Sequence, residues 1–152
     1  MTLVPIELGV SSLCLGRGGG IRAERGAEGS GPGAAAGPGS GPGSGSGEWR
    51  VRVFHAKTAA DVRSDHWEVH PDADEVVSCL VGKFRLCLRP ESPGRAAAPA
   101  EAAEPAGADE VVRLSAGTAV IVPRGRWHRI ELDVPSSIMT VTVPHGSRLE
   151  RR

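Results

Sequence analysis

Tyrosine is absent from this chain of 152 residues, and phenylalanine and tryptophan supply only two and three residues. A surface of interleaved aromatic and basic side chains for nucleic acid is therefore not expected. Charge of either sign is not in excess, with 18 basic and 18 acidic residues. A polyanion thus finds no basic field to follow, and the terminal RLERR is expected to be a solvated end. Long apolar runs are missing too. The N-terminal MTLVPIELGVSSLCLG is interrupted by Pro5 and Glu7 and carries no basic leader. It suits neither a membrane span nor a secretory signal. The three cysteines, Cys14, Cys79 and Cys87, are odd in number and show no CxxC spacing. A reduced, cytoplasmic protein is the simplest reading. A convincing helical period is also lacking.

Glycine and proline are plentiful, at 21 and 12 residues, but unevenly placed. Residues 16–47 read GRGGGIRAERGAEGSGPGAAAGPGSGPGSGSG, too poor in apolar side chains to offset their ordering entropy. This stretch is expected to be a disordered tail. Residues 1–15 form an apolar leader with two open readings: a strand that docks on the domain, or a poorly ordered segment from a misplaced start codon. The domain itself is expected over residues 48–152. Within it, residues 90–108 (PESPGRAAAPAEAAEPAGA) form an exposed, mobile loop.

Inside that domain the dominant period is two. Trp49, Val51, Val53 and His55 share one face of a strand, and His66, Glu68 and His70 share another, with Trp67 and Val69 opposite. EVVSCLVGKFRLCLR reads as two strands meeting in a hairpin at Gly82-Lys83, with Phe84, Leu86 and Leu88 on one side. EVVRL, TAVIV, RGRWHRIELD and SSIMTVTV complete a set of seven or eight strands, with His128, Ile130 and Leu132 on one face. Many short strands with turn signals between them argue an all-β sandwich or barrel with antiparallel pairing.

Two spacings carry chemistry. The first is His70, four residues, Glu75, six residues, Gly82. The second is Gly117, five residues, Pro123, one residue, Gly125, two residues, His128. Together they resemble the two motifs of the cupin superfamily, H-x-H-x(3,4)-E-x6-G and G-x5-P-x-G-x2-H. The second matches at every fixed position. The first departs at one, where Glu68 stands in place of the leading histidine. The resemblance spans about residues 48–145. It implies a single cupin jelly-roll β-barrel and a divalent metal in the barrel mouth, held by Glu68, His70, Glu75 and His128, with His128 on the wall opposite His70. It also implies homodimers joined through edge strands.

His66 shares the face of His70, but four strand residues separate their Cα atoms by ~13 Å, against ~7 Å for Glu68 and His70. Glu68 is thus the better fourth ligand, and His66 is expected near the rim. Two carboxylates and two imidazoles form a hard donor set, favouring Fe(II) or Mn(II), with Zn(II) or Ni(II) as alternatives. An arginine such as Arg124 or Arg126 could instead neutralise Glu75 and leave a metal site vacant. His55 and His145 are expected to be structural or surface residues, Trp67 and Trp127 core or pocket wall, and Cys79 and Cys87 buried small hydrophobes. Two functional readings follow. One is a metal-dependent enzyme on a small organic molecule, of dioxygenase or isomerase type, with Glu75 or Glu68 moving a proton. The other is a non-catalytic small-molecule-binding or sensor protein with a vacant metal site. Neither involves nucleic acid or membrane.

Overall fold

The computed structural model describes residues 4–25, 47–90 and 108–152. Most of the expected Gly-rich tail and of the 90–108 loop lies outside these residues. The described residues form eleven strands and no helix: β1 Ser11–Leu15, β2 Ile21–Arg25, β3 Trp49–Ala56, β4 His66–Val69, β5 Glu75–Val81, β6 Lys83–Leu88, β7 Glu110–Ser115, β8 Thr118–Val122, β9 His128–Leu132, β10 Ser136–Thr142 and β11 Arg148–Arg151. A six-stranded sheet runs β2-β1-β3-β10-β5-β8, and a five-stranded sheet runs β11-β4-β9-β6-β7. Every recorded pairing is antiparallel. The architecture is an all-β, jelly-roll-like pair of facing sheets. It is the all-β jelly roll that the resemblance implied, open rather than closed into a barrel, with β5 and β6, like β7 and β8, in different sheets.

Between the sheets sits one apolar cluster. The larger sheet contributes Ala56, Val77, Cys79, Val122 and Ile138, and the smaller contributes Phe84, Leu86, Leu88, Leu114 and Ile130. The face Phe84-Leu86-Leu88 and the neighbours Ile130 and Leu132 point inward together, as period two requires. All three cysteines are free and buried. With the aromatics nearly absent, this core is filled by aliphatic side chains and a single fully buried Phe84.

Several expectations are corrected. The run EVVSCLVGKFRLCLR is not a hairpin: β5 pairs with β8 and β10, while β6 pairs with β7 and β9. Gly82 turns the chain from one sheet to the other in a single residue, too short a link for the two strands to lie side by side. Its φ of 89° lies in the left-handed region. The leader does dock, with Leu13, Cys14 and Leu15 paired to β3. Residues 21–25, placed in the disordered tail, form β2, because β1 offers them a ladder that composition does not reveal. RLERR is not a free end either, since Arg148–Arg151 pair with β4.

The faces of β3 also carry a surprise. Phe54 and Ala56 point into the core, and by parity so do Arg50 and Arg52. The apolar set Trp49, Val51 and Val53 therefore lies on the outer surface of the larger sheet. Alternation fixes that two faces exist. What lies inside the sandwich decides which one turns inward, and at this end that is Glu68 from the facing sheet and Glu75 from β5 of the same sheet.

Gly82 generates a test. A Cβ there would lie 2.4 Å from Ser136 Oγ and 2.6 Å from the Pro135 carbonyl, whereas one on Gly117, at φ 85°, would meet nothing within 4 Å. Gly117→Ala is expected to cost only left-handed strain, ~1 kcal/mol. Gly82→Ala adds a backbone clash and should cost ~2–4 kcal/mol. Thermal melting checks this: a loss at Gly82 no greater than at Gly117 would mean the corner is not close-packed.

Candidate metal centre

Both motifs meet at one end of the sandwich, and backbone hydrogen bonds hold them there. The turn Pro123–Arg126 closes with the Arg126 N–H donating to the Pro123 carbonyl at 3.1 Å, and Gly125 adopts φ 77°. From this turn the Gly125 N–H donates to the His70 carbonyl at 2.9 Å. The Arg124 N–H donates to Asp74 Oδ1 at 3.0 Å. The loop leading to His128 is thus tied directly to the segment that carries His70 and Glu75.

Strand parity does the rest. Glu68 on β4 and His128 on β9 are directly opposed residues of neighbouring strands. His70 follows β4, and Glu75 opens β5 on the other sheet. His128 therefore does not face His70 from the opposite wall, as the motif had implied: β4 and β9 are adjacent, and Glu75 is the residue that comes from across the sandwich. The rings of His70 and His128 lie 5.7 Å apart between centroids.

One ligand atom each of Glu68, His70 and His128 lies within 4.8 Å of the other two. Glu75 Oε2 sits 2.8 Å from His128 Nε2 and 3.3 Å from His70 Nε2, and Glu68 Oε1 is 3.6 Å from His70 Nε2. Donor atoms that share one ion at ~2.1 Å, with angles between right and tetrahedral, stand ~3.0–3.4 Å apart. The observed spacings bracket that range. His70 Nε2 and Glu75 Oε2 are moreover buried without a hydrogen bond of acceptable geometry, despite their proximity. Buried polar atoms left in this way need a partner. Glu68, His70 and His128 have the spacing to hold one divalent cation, and Glu75 adjoins both imidazoles.

The outer nitrogens of both rings are engaged. His70 Nδ1 lies 2.6 Å from Ser147 Oγ, and His128 Nδ1 lies 3.1 Å from the Arg126 carbonyl, so each ring turns Nε2 inward. Burial pushes the Glu75 carboxyl up, but the adjoining His128 and His70 outweigh it and hold it at about 2. Burial pulls His128 down, and the Glu75 carboxylate more than reverses this. Glu68 has no such partner at hydrogen-bond distance. Burial, then the charge of Glu75, raises its carboxyl.

The arginines suggested as neutralisers of Glu75 are occupied elsewhere, Arg124 with Asp74 at 3.3 Å and Arg126 with Glu110 at 3.2 Å. His66 lines the same cavity but pairs with Asp65 at 2.9 Å, in keeping with a rim position. His55 and His145 are exposed and bond to Ser137 and Asp72. Trp67 and Trp127 do not line the cavity. They stack with Arg89, whose guanidinium carbon is 5.2 Å from each ring centroid. Sequence reasoning missed Ser147, Arg52, Thr140 and Thr142, all of which line the cavity. For Arg52, the parity of Arg50 and Arg52 against Trp49, Val51 and Val53 was the available signal. Ser147 gave none.

No family model matches the chain, and no curated protein matches it. Solved structures do show similarity. A cupin-2 domain protein of Shewanella frigidimarina is 18% identical, with 62% of this chain and 70% of that chain covered and a TM-score of 0.42. A hydroquinone 1,2-dioxygenase in complex with Cd2+ and 4-hydroxybenzonitrile is 21% identical, over 62% of this chain and 57% of that chain, with a TM-score of 0.43. Oxalate decarboxylase of Bacillus subtilis, a protein with Mn(II) centres, is 15% identical over 68% of this chain, with a TM-score of 0.44. This chain spans only 23% of that decarboxylase. The functional reading therefore rests on this chain's own side chains.

If Ser147 orients His70, Ser147→Ala should weaken metal loading by ~10-fold without changing the circular dichroism spectrum. His145→Ala, two residues away and exposed, should leave loading unchanged. Equal loading of wild type and Ser147→Ala at limiting metal would show that the hydroxyl does not position the ring.

Proposed function

We propose that the chain is a single-domain member of the cupin superfamily that holds one divalent metal on Glu68, His70, Glu75 and His128 and acts there on a small organic molecule. The observation that carries this reading is the convergence of Glu68, His70 and His128 at ligand-to-ligand spacings, with Glu75 of the other sheet adjoining both imidazoles. The two-carboxylate, two-imidazole set favours Fe(II) or Mn(II) over Zn(II) or Ni(II). Such an ion supplies Lewis acidity and open positions for a substrate oxygen. The protein's own contribution is orientation and proton handling. Both carboxylates line the cavity, but Glu75, with its side chain 7% exposed, is wedged between the imidazoles, whereas Glu68 is 25% exposed. This greater exposure supports Glu68, rather than Glu75, as the carboxylate that passes a proton to or from a bound molecule, in a reaction of dioxygenase or isomerase type. The three buried, free cysteines suit a reducing compartment, the cytoplasm. Among the described residues no helix is long and apolar enough to cross a membrane.

One observation favours the second reading, a non-catalytic small-molecule binder or sensor. Glu75 and His128, at 2.8 Å, already neutralise each other. A site that satisfies its own charges in this way can remain without metal.

The homodimer finds support in the larger sheet. Ala23, Leu13, Val51, Val141, Val76 and Ile121 form an unbroken cross-strand row over all six strands. Six strands ~4.8 Å apart and ~6 residues long present a face of ~500 Å² in projection. That is of the order of the ~800 Å² of accessible surface a standard interface buries per partner. The row itself carries no charge. The outer face of this sheet, rather than a strand edge, is the surface we assign to the partner copy.

Two experiments test these readings. Elemental analysis of the native protein should find about one equivalent of iron or manganese, and Glu68→His should shift competitive loading toward Ni(II) or Zn(II). Identical metal ratios in both proteins would remove Glu68 from the site, and no metal in either would favour the second reading. Sedimentation velocity should show a dimer that Val141→Glu dissociates. A monomeric wild type would exclude the interface.

A further inference from the structure

The cavity beside the candidate metal ligands is small. Its volume is about 70 Å³. A cavity of ~150 Å³ takes benzene, so this one suits several waters or a chain of a few heavy atoms rather than a ring. Among its lining residues, Thr140 and Thr142 come from β10 of the larger sheet, and Glu68 and His128 come from β4 and β9 of the smaller. Both threonines are buried.

Thr142 differs from the other polar residues of β10. It is 7% exposed, and its Oγ1 has no hydrogen-bond partner among the described residues. Arg50, opposite it on β3, bonds to Glu24 at 2.8 Å. On its other side the β10–β5 ladder pairs Thr140 with Val77 and Val141 with Val76, and the next residues along are Thr142 and Glu75. Both of these line the cavity. Same-face neighbours on adjacent strands have Cβ atoms ~4.5–5.5 Å apart. The hydroxyl is thus one strand away from the carboxylate that adjoins both imidazoles. A buried hydroxyl without a partner costs free energy until a ligand or water completes it. Valine has nearly the same shape and carries no such cost, so the hydroxyl marks a position that takes an oxygen.

We propose that the Thr142 hydroxyl binds a neutral oxygen of the ligand, and that the small molecule taken by this cavity is a short aliphatic compound with oxygens on adjacent carbons, one of them a hydroxyl. This deepens the function proposed above and rests on its placing of the ligand in this cavity. One oxygen of such a molecule is turned toward Glu68, His70 and His128. The second, on the adjacent carbon, reaches Thr142, because that hydroxyl lies one strand from Glu75 and not at a remote end of the cavity. The oxygen at Thr142 is uncharged, since an anionic group beside the Glu75 carboxylate meets repulsion. A ligand hydroxyl suits the position, because Thr142 can donate to it or accept from it. Thr142 then sets specificity: a ligand with methyl in place of hydroxyl leaves Oγ1 unpaired and is rejected.

The probes are hydroxyacetone, its methyl isostere butanone and its phenyl analogue phenacyl alcohol. Binding to the full chain is followed by ligand-observed NMR, once metal-free and once loaded with diamagnetic Zn(II). Hydroxyacetone is expected to bind about tenfold more tightly than butanone in both states, and more tightly than phenacyl alcohol. Thr142→Val should remove the preference over butanone without weakening butanone itself, and Thr142→Ser should keep it. The melting temperature of ligand-free Thr142→Val should equal or exceed that of wild type, because no bond of the fold is lost. A lower melting temperature, or equal weakening of all three probes in Thr142→Val, would show that the hydroxyl serves the fold and overturn the proposal. Equal binding of hydroxyacetone and butanone to wild type, no binding of either, a full preference in Thr142→Val, or tighter binding of phenacyl alcohol would overturn it too. A Thr142-dependent preference for hydroxyacetone in a protein that loads no metal would retain the proposal and remove the metal reading. Zinc loading with binding indifferent to Thr142 would do the reverse.

Discussion

A carboxylate from one sheet is wedged between two imidazoles from the other, and much of this molecule is arranged around that contact. Glu75 is buried, and an isolated buried carboxylate is costly enough to reject the fold that contains it. It is tolerated here because His128 and His70 reach it at 2.8 and 3.3 Å. That requirement fixes how the sheets face each other at this end. β5 must present Glu75 inward, and β4 and β9 must lie side by side so that both imidazoles arrive together. The turn Pro123–Arg126 must also stay close to His70, which its hydrogen bonds to His70 and Asp74 ensure.

The sandwich is consequently divided along its length. One end is an aliphatic core around Phe84, Leu86 and Ile138, sealed by the corner at Gly82. The other end is polar and holds the cavity. β3 shows the change within one strand: Ala56 and Phe54 serve the core, and two residues on, Arg52 serves the cavity. The same inversion turns Val51 and Val53 outward. A polar interior end and an apolar exterior face are thus two results of one alternation, and the exterior face is the surface assigned to a second copy.

Much of the site was legible in the sequence because its spacing is local. Glu68, His70 and Glu75 fall within eight residues, so strand parity and one turn suffice to bring them near one another. The glycine and proline turn before His128 is also encoded in a few residues. Ser147 could not be read, since its relation to His70 spans 77 residues and depends on where the β10–β11 loop lands. The hairpin expected at Gly82 failed for a similar reason. A glycine between two apolar runs marks a turn, but whether the second run stays in the sheet or crosses to the other depends on partners that arrive later in the chain.

The sequence by itself determined that this is an all-β chain with short alternating strands and which residues share a face. These follow from period two and from turn chemistry, both set within a few residues, whereas the resemblance to the cupin motifs implied that the spacings around His70 and His128 belong to one site. Only the tertiary structure decided that β5 and β6 part company, that β1, β2 and β11 join the sheets, and that His128 stands beside His70 rather than opposite it. It alone also turned Arg52 inward and Val51 outward. Each of these choices is between states that are equivalent to the local chain. Long-range packing and the need to compensate a buried charge separate them, and no short stretch of residues contains either.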